Sequence, residues 1–367
     1  VVLRQQPRDL LLGVHDQRPA DGERLGNLVR GREAVDRPRG VVERRDEVTR
    51  LGLLDHELVL QVAAVVDAHR RGALLDQSRI PLPGQDQVAV LVLGEQSGLT
   101  AECICGETRD RLELGLPGRQ AELFDAVAAT GTPVVLVLVA GRPLAIPEKA
   151  RAAAVLHAWV PGEAGPQAIA EVLFGDVSPG GKLPITVPRH VGQVPIYYGH
   201  KPSGGRSPWH EDYVDGSPRP LWPFGYGRSY SRFELSELRL DRETVSVDGT
   251  VEVSVELANV GERTADEVVQ LYVRDLQASV TRPLKELRGF ARVSLEPGAR
   301  QTVTFGLAVE QLAFTGVDGT LRIEPGHHRV MVGTSSAELP LEARFEVIGD
   351  VRELPARNVF FSTVRIS

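Results

Sequence analysis

Three short, continuous apolar runs near the middle of the chain constrain its fold more than any other feature. These runs are residues 88–93, 134–139 and 153–159. Runs of this length, rich in Val and Leu, are typical of strands that are buried on both faces of a parallel sheet. Helical periodicity over 118–130 and 165–174 alternates with the runs. The alternation predicts an α/β sandwich with a mainly parallel sheet over residues 87–188.

The hydrophobic pattern changes to a period of two beyond residue 233. Residues 250–257 alternate Val with Glu or Ser, and further short runs follow at 268–273, 301–307, 328–332 and 343–348. Turn signals such as Asp248-Gly249 separate these runs. The pattern favours an all-β fibronectin III/immunoglobulin-like sandwich over residues 233–348, with residues 349–367 as a tail.

Length and charge exclude several classes of protein. The chain has 367 residues, which is enough for about two or three domains. Its net charge of −7 provides no electrostatic footprint for nucleic acid. It contains no run of about twenty apolar residues, so no membrane partner is expected. The first residues do not resemble a secretory signal, and the compartment and the oligomeric state stay open.

Residues 1–86 differ in composition from the rest of the chain. They contain no aromatic residue, Met, Cys or Lys, and Arg supplies all 14 basic charges. Residues 51–66 have the spacing of an amphipathic helix. Two interpretations of the segment compete: a divergent or partly disordered extension, and a stretch read out of frame or joined by a chimeric gene assignment. The second is favoured.

A long strand-to-helix loop follows the first apolar run. It extends from Gly94 to Pro117, and loops at this place in open α/β sheets often bind ligands. The loop carries six charged side chains that bear on function: Glu95, Glu102, Glu107, Glu113, Arg109 and Arg111. These residues are consistent with a solvated, charge-balanced loop and also with a carboxylic acid held ready to protonate a leaving group.

No metal site is expected from the sequence. Cys103 and Cys105 are separated by one residue, so a mutual disulfide would be strained and the two sulfurs would make a poor zinc site. A structural role is the expected one for both. His200 and His210 have no third ligand clustered with them in the sequence.

A connector rich in Gly, Pro and aromatic residues spans residues 189–232. Aromatic rings among polar groups suit a sugar, because the C–H face of a sugar packs on a ring while its hydroxyls need hydrogen bonds. The same rings also suit a simpler role, that of docking the connector onto its neighbours. Trp209 and Tyr213 are the candidate sugar-binding residues of this segment.

From about residue 88 onward, the chain resembles the C-terminal half of glycoside hydrolase family 3, the β-glucosidase and β-xylosidase group. The resemblance rests on a series of short motifs in the family's order. They are Gly94-Glu95, Gly106-Glu107 through Pro117-Gly118, Gly141-Arg-Pro-Leu144, Trp159-Val-Pro-Gly162-Glu163, Leu173-Phe-Gly-Asp176, Pro179-Gly-Gly-Lys-Leu-Pro184, Tyr197-Tyr198 and Pro223-Phe-Gly-Tyr-Gly227.

The resemblance implies a retaining hydrolysis that uses two carboxyl groups. In the family, the general acid/base glutamate lies in the loop before the Leu-Pro pair. Glu107, ten residues before Pro117, is the expected acid/base, and Glu102 is the alternative. Arg109 and Arg111, with the two connector aromatics, are the expected substrate-binding residues.

The family's nucleophile is an aspartate of a barrel domain, and no barrel motif is found in residues 1–86. The expected function is therefore the C-terminal part of an exo-β-glycosidase, inactive by itself, that acts on β-linked oligosaccharides or on aryl and alkyl glycosides. The alternative is a non-catalytic carbohydrate-binding or scaffold protein built from the same domains. No cofactor is implied, because two carboxyl groups and water suffice.

Overall fold

The computed structural model describes residues 59–64, 87–99, 103–146, 151–202 and 215–367. The strands are β1 (Val59–Ala64), β2 (Gln87–Gly94), β3 (Val134–Val139), β4 (Ala154–His157), β5 (Phe233–Leu240), β6 (Thr244–Ser246), β7 (Thr250–Asn259), β8 (Ala265–Asp275), β9 (Glu286–Leu295), β10 (Arg300–Ala308), β11 (Phe314–Thr315), β12 (Leu321–Ile323), β13 (Gly326–Gly333), β14 (Leu341–Ile348), β15 (Arg352–Glu353) and β16 (Thr363–Ile366). The α-helices are α1 (Gln120–Ala128) and α2 (Gly165–Phe174).

The first four strands form one parallel sheet in the order β1-β2-β3-β4. Successive residues of β3 pack on opposite faces. Leu136 belongs to the same apolar cluster as Phe124 of α1, whereas Val137 belongs to the cluster that contacts α2 through Ile169 and Val172. The sheet is therefore buried on both faces, and the predicted α/β sandwich is confirmed.

Strand β1 lies inside the segment that the composition sets apart. It pairs in parallel with β2, from Val59 opposite Gln87 to Ala64 opposite Val92. The helix predicted over residues 51–66 is therefore wrong for residues 59–64. A short apolar stretch fits both periods, and hydrogen bonding to the neighbouring strand decides between them. The other residues of this segment lie outside the described part of the chain.

The C-terminal half is a mainly antiparallel sandwich, as predicted from its period-two pattern, and only β6 and β14 pair in parallel among its described strands. One sheet has the order β16-β10-β7-β5 and the other has the order β6-β14-β13-β8-β9. The inward residues of β7 meet those of β8 and β10 in a core whose members include Val253, Leu271 and Phe305, all fully buried. Strand β16 comes from residues 349–367, which were expected to form a tail, and it completes the first sheet by pairing with β10.

Side-chain contacts join the sandwich to the α/β domain. Lys182 Nζ lies 2.6 Å from Glu267 Oε1 of β8, and both side chains are nearly buried. Gln270 Nε2, also on β8, donates to the carbonyl oxygen of Gly225 in the connector. No helix in the described part of the chain is long and apolar enough to cross a membrane.

Candidate active site

The loop that follows β2 is held at its start by contacts with α1 and β3. Its residues 95–117 are called the carboxylate loop below. Gln120, the first residue of α1, donates from Nε2 to the Gly94 carbonyl and accepts from the Gly94 N–H, each at 2.8 Å. Gly94 has φ +149°, and a Cβ there would lie 1.8 Å from the Val139 carbonyl oxygen. Only glycine permits this approach of β2 to β3, so the start of the loop is fixed by backbone geometry.

Glu95, the first residue of the carboxylate loop, has a fully buried side chain. Its Oε2 accepts a hydrogen bond from Arg142 Nε at 3.0 Å, and its Oε1 lies 3.9 Å from Arg111 Nη1. Burial raises the pKa of Glu95, and the positive charges of Arg142 and Arg111 oppose the rise. Glu95 is therefore an internal anchor and is not exposed to a ligand.

The Arg142 guanidinium connects three points of the carboxylate loop. Besides Glu95, it donates to the Asp110 carboxylate and to the Ile104 carbonyl. The pKa of Asp110 is lowered by the hydrogen bond from the Arg111 N–H and then by Arg142. A planar guanidinium has five N–H donors in a fixed geometry, so one side chain can fix the start, the middle and the far side of the loop.

Glu107 stands at the tip of a tight turn in this braced loop. The N–H of Gly98 donates to the Cys105 carbonyl at 3.0 Å, and the N–H of Arg109 donates to the Gly106 carbonyl at 3.1 Å. The turn holds Thr108 at φ +61°, which is unusual for a residue with a branched side chain. The Glu107 side chain is exposed.

The two arginines predicted to bind substrate are turned toward the loop itself. Arg109 Nη2 donates to the Leu99 carbonyl at 3.1 Å, and Arg111 Nη1 donates to the Gly115 carbonyl at 2.9 Å. In this structure they hold the loop backbone around Glu107. The other predicted site residues, Glu102, Trp209 and Tyr213, lie outside the described residues.

The sequence motifs contain Glu95 and Arg142 but do not reveal that the two side chains pair. Each of them follows the carboxyl end of a strand, and β2 and β3 are neighbours in register, with Gly94 opposite Val139. Side chains that follow the carboxyl ends of adjacent parallel strands meet at one edge of the sheet. Applied to the two predicted strands, this rule would have indicated that Glu95 and Arg142 lie close together.

Neither Cys103 nor Cys105 forms a disulfide in the described part of the chain. Cys103 is buried and Cys105 is partly buried. A Cβ at Gly141 would lie 2.2 Å from Cys105 Sγ, so this thiol packs against the backbone beside Arg142. Among the described residues, no group of three or more His, Cys, Asp or Glu side chains is placed to hold a metal ion.

The arrangement presents the exposed carboxyl group of Glu107 at the tip of a turn, in a loop that the buried Glu95–Arg142 pair holds in place. A carboxyl group in such a place can donate a proton to a bound molecule and take one back from water. The bracing limits the positions that the group can occupy, which is what acid/base catalysis requires of its support.

Comparison with known proteins identifies the domain families of two parts of the chain. The model of the glycosyl hydrolase family 3 C-terminal domain matches residues 59–230, and that of the fibronectin type III-like domain matches residues 267–336. The first match begins at the first residue of β1, consistent with the place of this strand in the sheet.

Several curated relatives are β-glucosidases or β-xylosidases. A periplasmic β-glucosidase from Salmonella typhimurium is 39% identical over 304 residues, which is 81% of this chain and 39% of the relative. A β-xylosidase from Formosa agariphila is 43% identical over 251 residues, covering 67% of this chain and 34% of the relative. The chain thus spans well under half the length of these relatives.

Solved structures have the same fold. The β-glucosidase from Listeria innocua in complex with glucose superposes with a TM-score of 0.67 at 36% identity, over 72% of this chain and 37% of that one. Another structure of the Listeria enzyme contains laminaribiose and superposes with a TM-score of 0.66 at 37% identity. The expected fold class and family resemblance are therefore confirmed.

Proposed function

The chain belongs to glycoside hydrolase family 3, and from that premise we propose that it is the C-terminal part of a retaining exo-β-glycosidase. Its substrates are terminal β-D-glucosides or β-D-xylosides, and its contribution to the reaction is the general acid/base Glu107. The observation that carries this proposal is the exposed Glu107 carboxyl at the tip of the arginine-braced carboxylate loop.

In the proposed reaction, Glu107 protonates the departing glycosidic oxygen and then, as a carboxylate, removes a proton from the attacking water. A second carboxylate attacks the anomeric carbon, and in a retaining enzyme the two groups stand about 5–5.5 Å apart. In this family the second carboxylate is an aspartate of a barrel domain. The active site would then form where the barrel meets the tip of the carboxylate loop.

The proposed substrate class rests on the relatives. The Salmonella relative is named a β-glucosidase and the Formosa relative a β-xylosidase, and the Listeria enzyme has been solved with glucose and with laminaribiose. Glucose and xylose differ at one hydroxymethyl group, so both sugars are candidates. Glu102, Trp209 and Tyr213 stay predictions for the acid/base alternative and for sugar contacts.

The proposal is tested by restoring a barrel. Residues 59–367 are joined to the barrel domain of the Salmonella relative, and hydrolysis of aryl β-glucosides and β-xylosides is compared with that of the unmodified 367-residue chain. We expect turnover from the fusion and none from the chain alone. Turnover by the chain alone would place a nucleophile within its own residues.

Variants of the fusion identify the acid. Glu107→Gln is expected to lower kcat/KM about 10²–10⁴-fold for substrates with poor leaving groups, and much less for dinitrophenyl glycosides, which need no protonation. Azide should restore turnover and form a glycosyl azide. Glu113→Gln, which changes another exposed carboxylate of the loop, is the control. The same pattern from Glu102→Gln, with Glu107→Gln active, would move the assignment to Glu102.

A further inference from the structure

The two edges of the sandwich sheet β16-β10-β7-β5 differ in how they are protected. The register of β5 with β7 shifts between Ser236 and Arg239, and Glu237, which lies within the shift, has φ +55°. A bulge that carries charged residues is a common protection of an edge strand against pairing with another chain. At the other edge, β16 pairs regularly over Thr363–Ile366, without a shift. The β16 edge therefore lacks the protection that β5 has.

Strand β16 has unpaired backbone groups along its outer side. The residue after it, Ser367, exchanges two backbone hydrogen bonds with β10, at 2.8 and 3.0 Å. Hydrogen-bonded and non-hydrogen-bonded pairs alternate along an antiparallel ladder, so Arg365 and Thr363 also point their backbone groups at β10. The N–H and C=O groups of Val364 and Ile366 consequently point away from β10. None of these four groups has a hydrogen-bond partner in the described part of the chain.

The side chains of Val364 and Ile366 are only partly covered. They lie opposite Phe305 and Val303 of β10, two fully buried core residues, and therefore point to the core side of the sheet. Their exposed fractions are nevertheless 43% and 41%. A further strand beside β16 would remove this apolar surface from water, which is favourable.

The outer face of β16 carries a single charged side chain, Arg365. Its Nη2 donates to Glu252 Oε2 of β7 at 3.3 Å, across β10. Edge strands are often protected by charges that repel a second strand. Because Glu252 offsets the charge of Arg365, β16 presents little net charge to a second copy of itself.

From these observations, we propose that two copies of the chain associate by antiparallel pairing of β16 with β16, centred on Arg365. In this register, Val364 of each copy lies opposite Ile366 of the other. The outward backbone groups of the two copies form four hydrogen bonds, and the partly exposed Val and Ile side chains pack in pairs across the interface. A two-fold axis relates the copies, so the same edge serves both, and the two sheets become one sheet of eight strands.

The centre of the pairing follows from the backbone groups that are free. A centre at Val364 would pair Ile366 with Ser362, whose N–H already donates to the Arg288 carbonyl at 2.9 Å. A centre at Arg365 uses only the free groups of Val364 and Ile366. The proposal concerns the association of the chain with itself, and it does not depend on the glycosidase activity proposed above.

Sedimentation equilibrium of the full 367-residue chain tests the association. Four backbone hydrogen bonds with a small apolar contact make a weak interface, so we expect a dimer with a Kd of about 10–100 µM. Val364→Pro removes one outward N–H from each copy and keeps the bonds to β10, because proline is tolerated in an edge strand where the N–H faces solvent. This variant should raise the Kd at least about tenfold.

Val317→Pro is the matched control for that variant. Val317 is 95% exposed and follows Gly316 in a turn that the Gly319 N–H closes by donating to the Gly316 carbonyl. Proline is favoured at this position of a turn, so the change replaces an exposed valine without disturbing the fold. The Kd of the dimer should stay as it is. Thermal unfolding of both variants shows whether they have folded.

A cysteine at the proposed centre tests the register. In Arg365→Cys, the two introduced residues form a non-hydrogen-bonded pair with Cα atoms about 4.5 Å apart, which is within reach of a disulfide. Oxidation by Cu(II)-phenanthroline, which takes up the two electrons released by the thiols, should give a covalent dimer on a non-reducing gel. Thr363→Cys is the control, because position 363 lies opposite Ser367 of the second copy. The parent chain accounts for Cys103 and Cys105.

Three results would overturn the proposal. A chain that stays monomeric at about 0.5 mM would leave the β16 edge open to a strand of another protein. A folded Val364→Pro variant that dimerises as tightly as the parent chain would place the interface on another surface. Cross-linking of Arg365→Cys no faster than that of Thr363→Cys would exclude the register. If Val364→Pro does not fold, the comparison of the two cysteine variants decides.

Discussion

Glu95 shows how one residue of a loop can belong to the interior of a protein. Its carboxylate is fully buried and pairs with Arg142, a residue 47 positions further along the chain. An ion pair in such a place adds little net stability, but removal of one partner leaves the other buried and uncompensated. Separation of Glu95 from Arg142 would therefore cost free energy, and this cost keeps the carboxylate loop in place.

We expect Arg142→Met to lower the free energy of unfolding by about 3 kcal/mol, because buried Glu95 loses its hydrogen-bonded cation and keeps only Arg111 at 3.9 Å. Urea denaturation measures the change. The matched control is Arg119→Met, which breaks the exposed pair with Glu122 in the same domain and should change the free energy by less than about 1 kcal/mol. Equal effects of the two variants would contradict the anchoring role of Glu95.

His157, the last residue of β4, is a second buried polar side chain. It is 4% exposed, its ring lies 4.0 Å from that of Trp159, and neither ring nitrogen has a hydrogen-bond partner among the described residues. Burial lowers the pKa of His157 from 6.5 to about 4. The folded protein therefore holds this ring in its neutral form.

The pH dependence of stability follows from that shift. A histidine whose pKa is lower in the folded state contributes fully above pH 6.5, and the contribution is lost as the pH falls toward 4. His157→Phe should keep the ring contact with Trp159 and remove up to about 3 kcal/mol of this acid-dependent loss of stability. Denaturation curves at pH 7 and pH 4.5 measure it. An unchanged profile in His157→Phe would refute the prediction.

At the scale of elements, the junction of β2, β3 and α1 determines where the carboxylate loop begins. Gly94 brings the two strands together, and Gln120 binds both polar backbone groups of Gly94. The N-terminus of α1 has no side-chain cap of its own, so this contact also fixes the position of the helix start. Sheet, helix and loop meet at one glycine.

Gly94→Ala should therefore be severely destabilising, by about 3 kcal/mol or more, because a Cβ would stand 1.8 Å from the Val139 carbonyl oxygen. Gly115→Ala is the control within the carboxylate loop, since a Cβ there meets nothing within 4 Å. It should change the stability by less than about 1 kcal/mol. Thermal unfolding of both variants makes the comparison, and similar Tm values would disprove the close approach.

For the molecule as a whole, polar side-chain bonds connect the α/β domain with both the sandwich and the connector. Lys182 Nζ of the α/β domain binds Glu267 of the sandwich and the Gly227 carbonyl of the connector, and Tyr230 of the connector donates its hydroxyl hydrogen to the Val172 carbonyl of α2. These bonds need correct geometry on both sides. The two domains are therefore expected to unfold together in one transition.

Lys182→Met should weaken this coupling, because Glu267 would stay buried without a cation. We expect a loss of about 3 kcal/mol and the separation of one calorimetric transition into two. Arg300→Met, on the surface of the sandwich, should keep the single transition. A single, unshifted transition in Lys182→Met would show that the Lys182–Glu267 pair does not couple the two domains.

The sequence by itself determined which fold classes meet in this chain. The apolar runs at 88–93 and 134–139 form β2 and β3, and the alternating residues 250–257 lie in β7. These strands could be predicted because the hydrophobic period of a strand depends only on its own residues. The loop that carries Glu107 was also visible, since it lies between a strand and a helix. Local patterns were sufficient at these places.

Only the tertiary structure decided which distant residues of the chain lie side by side. Residues 59–64 have a pattern that suits a helix or a strand, and pairing with β2 made them a strand. Glu95 is one of several loop glutamates in the sequence, and among those that the structure describes it alone is buried against Arg142, because β2 and β3 end side by side. Such contacts join residues that are far apart in the chain, and a local pattern contains no record of them.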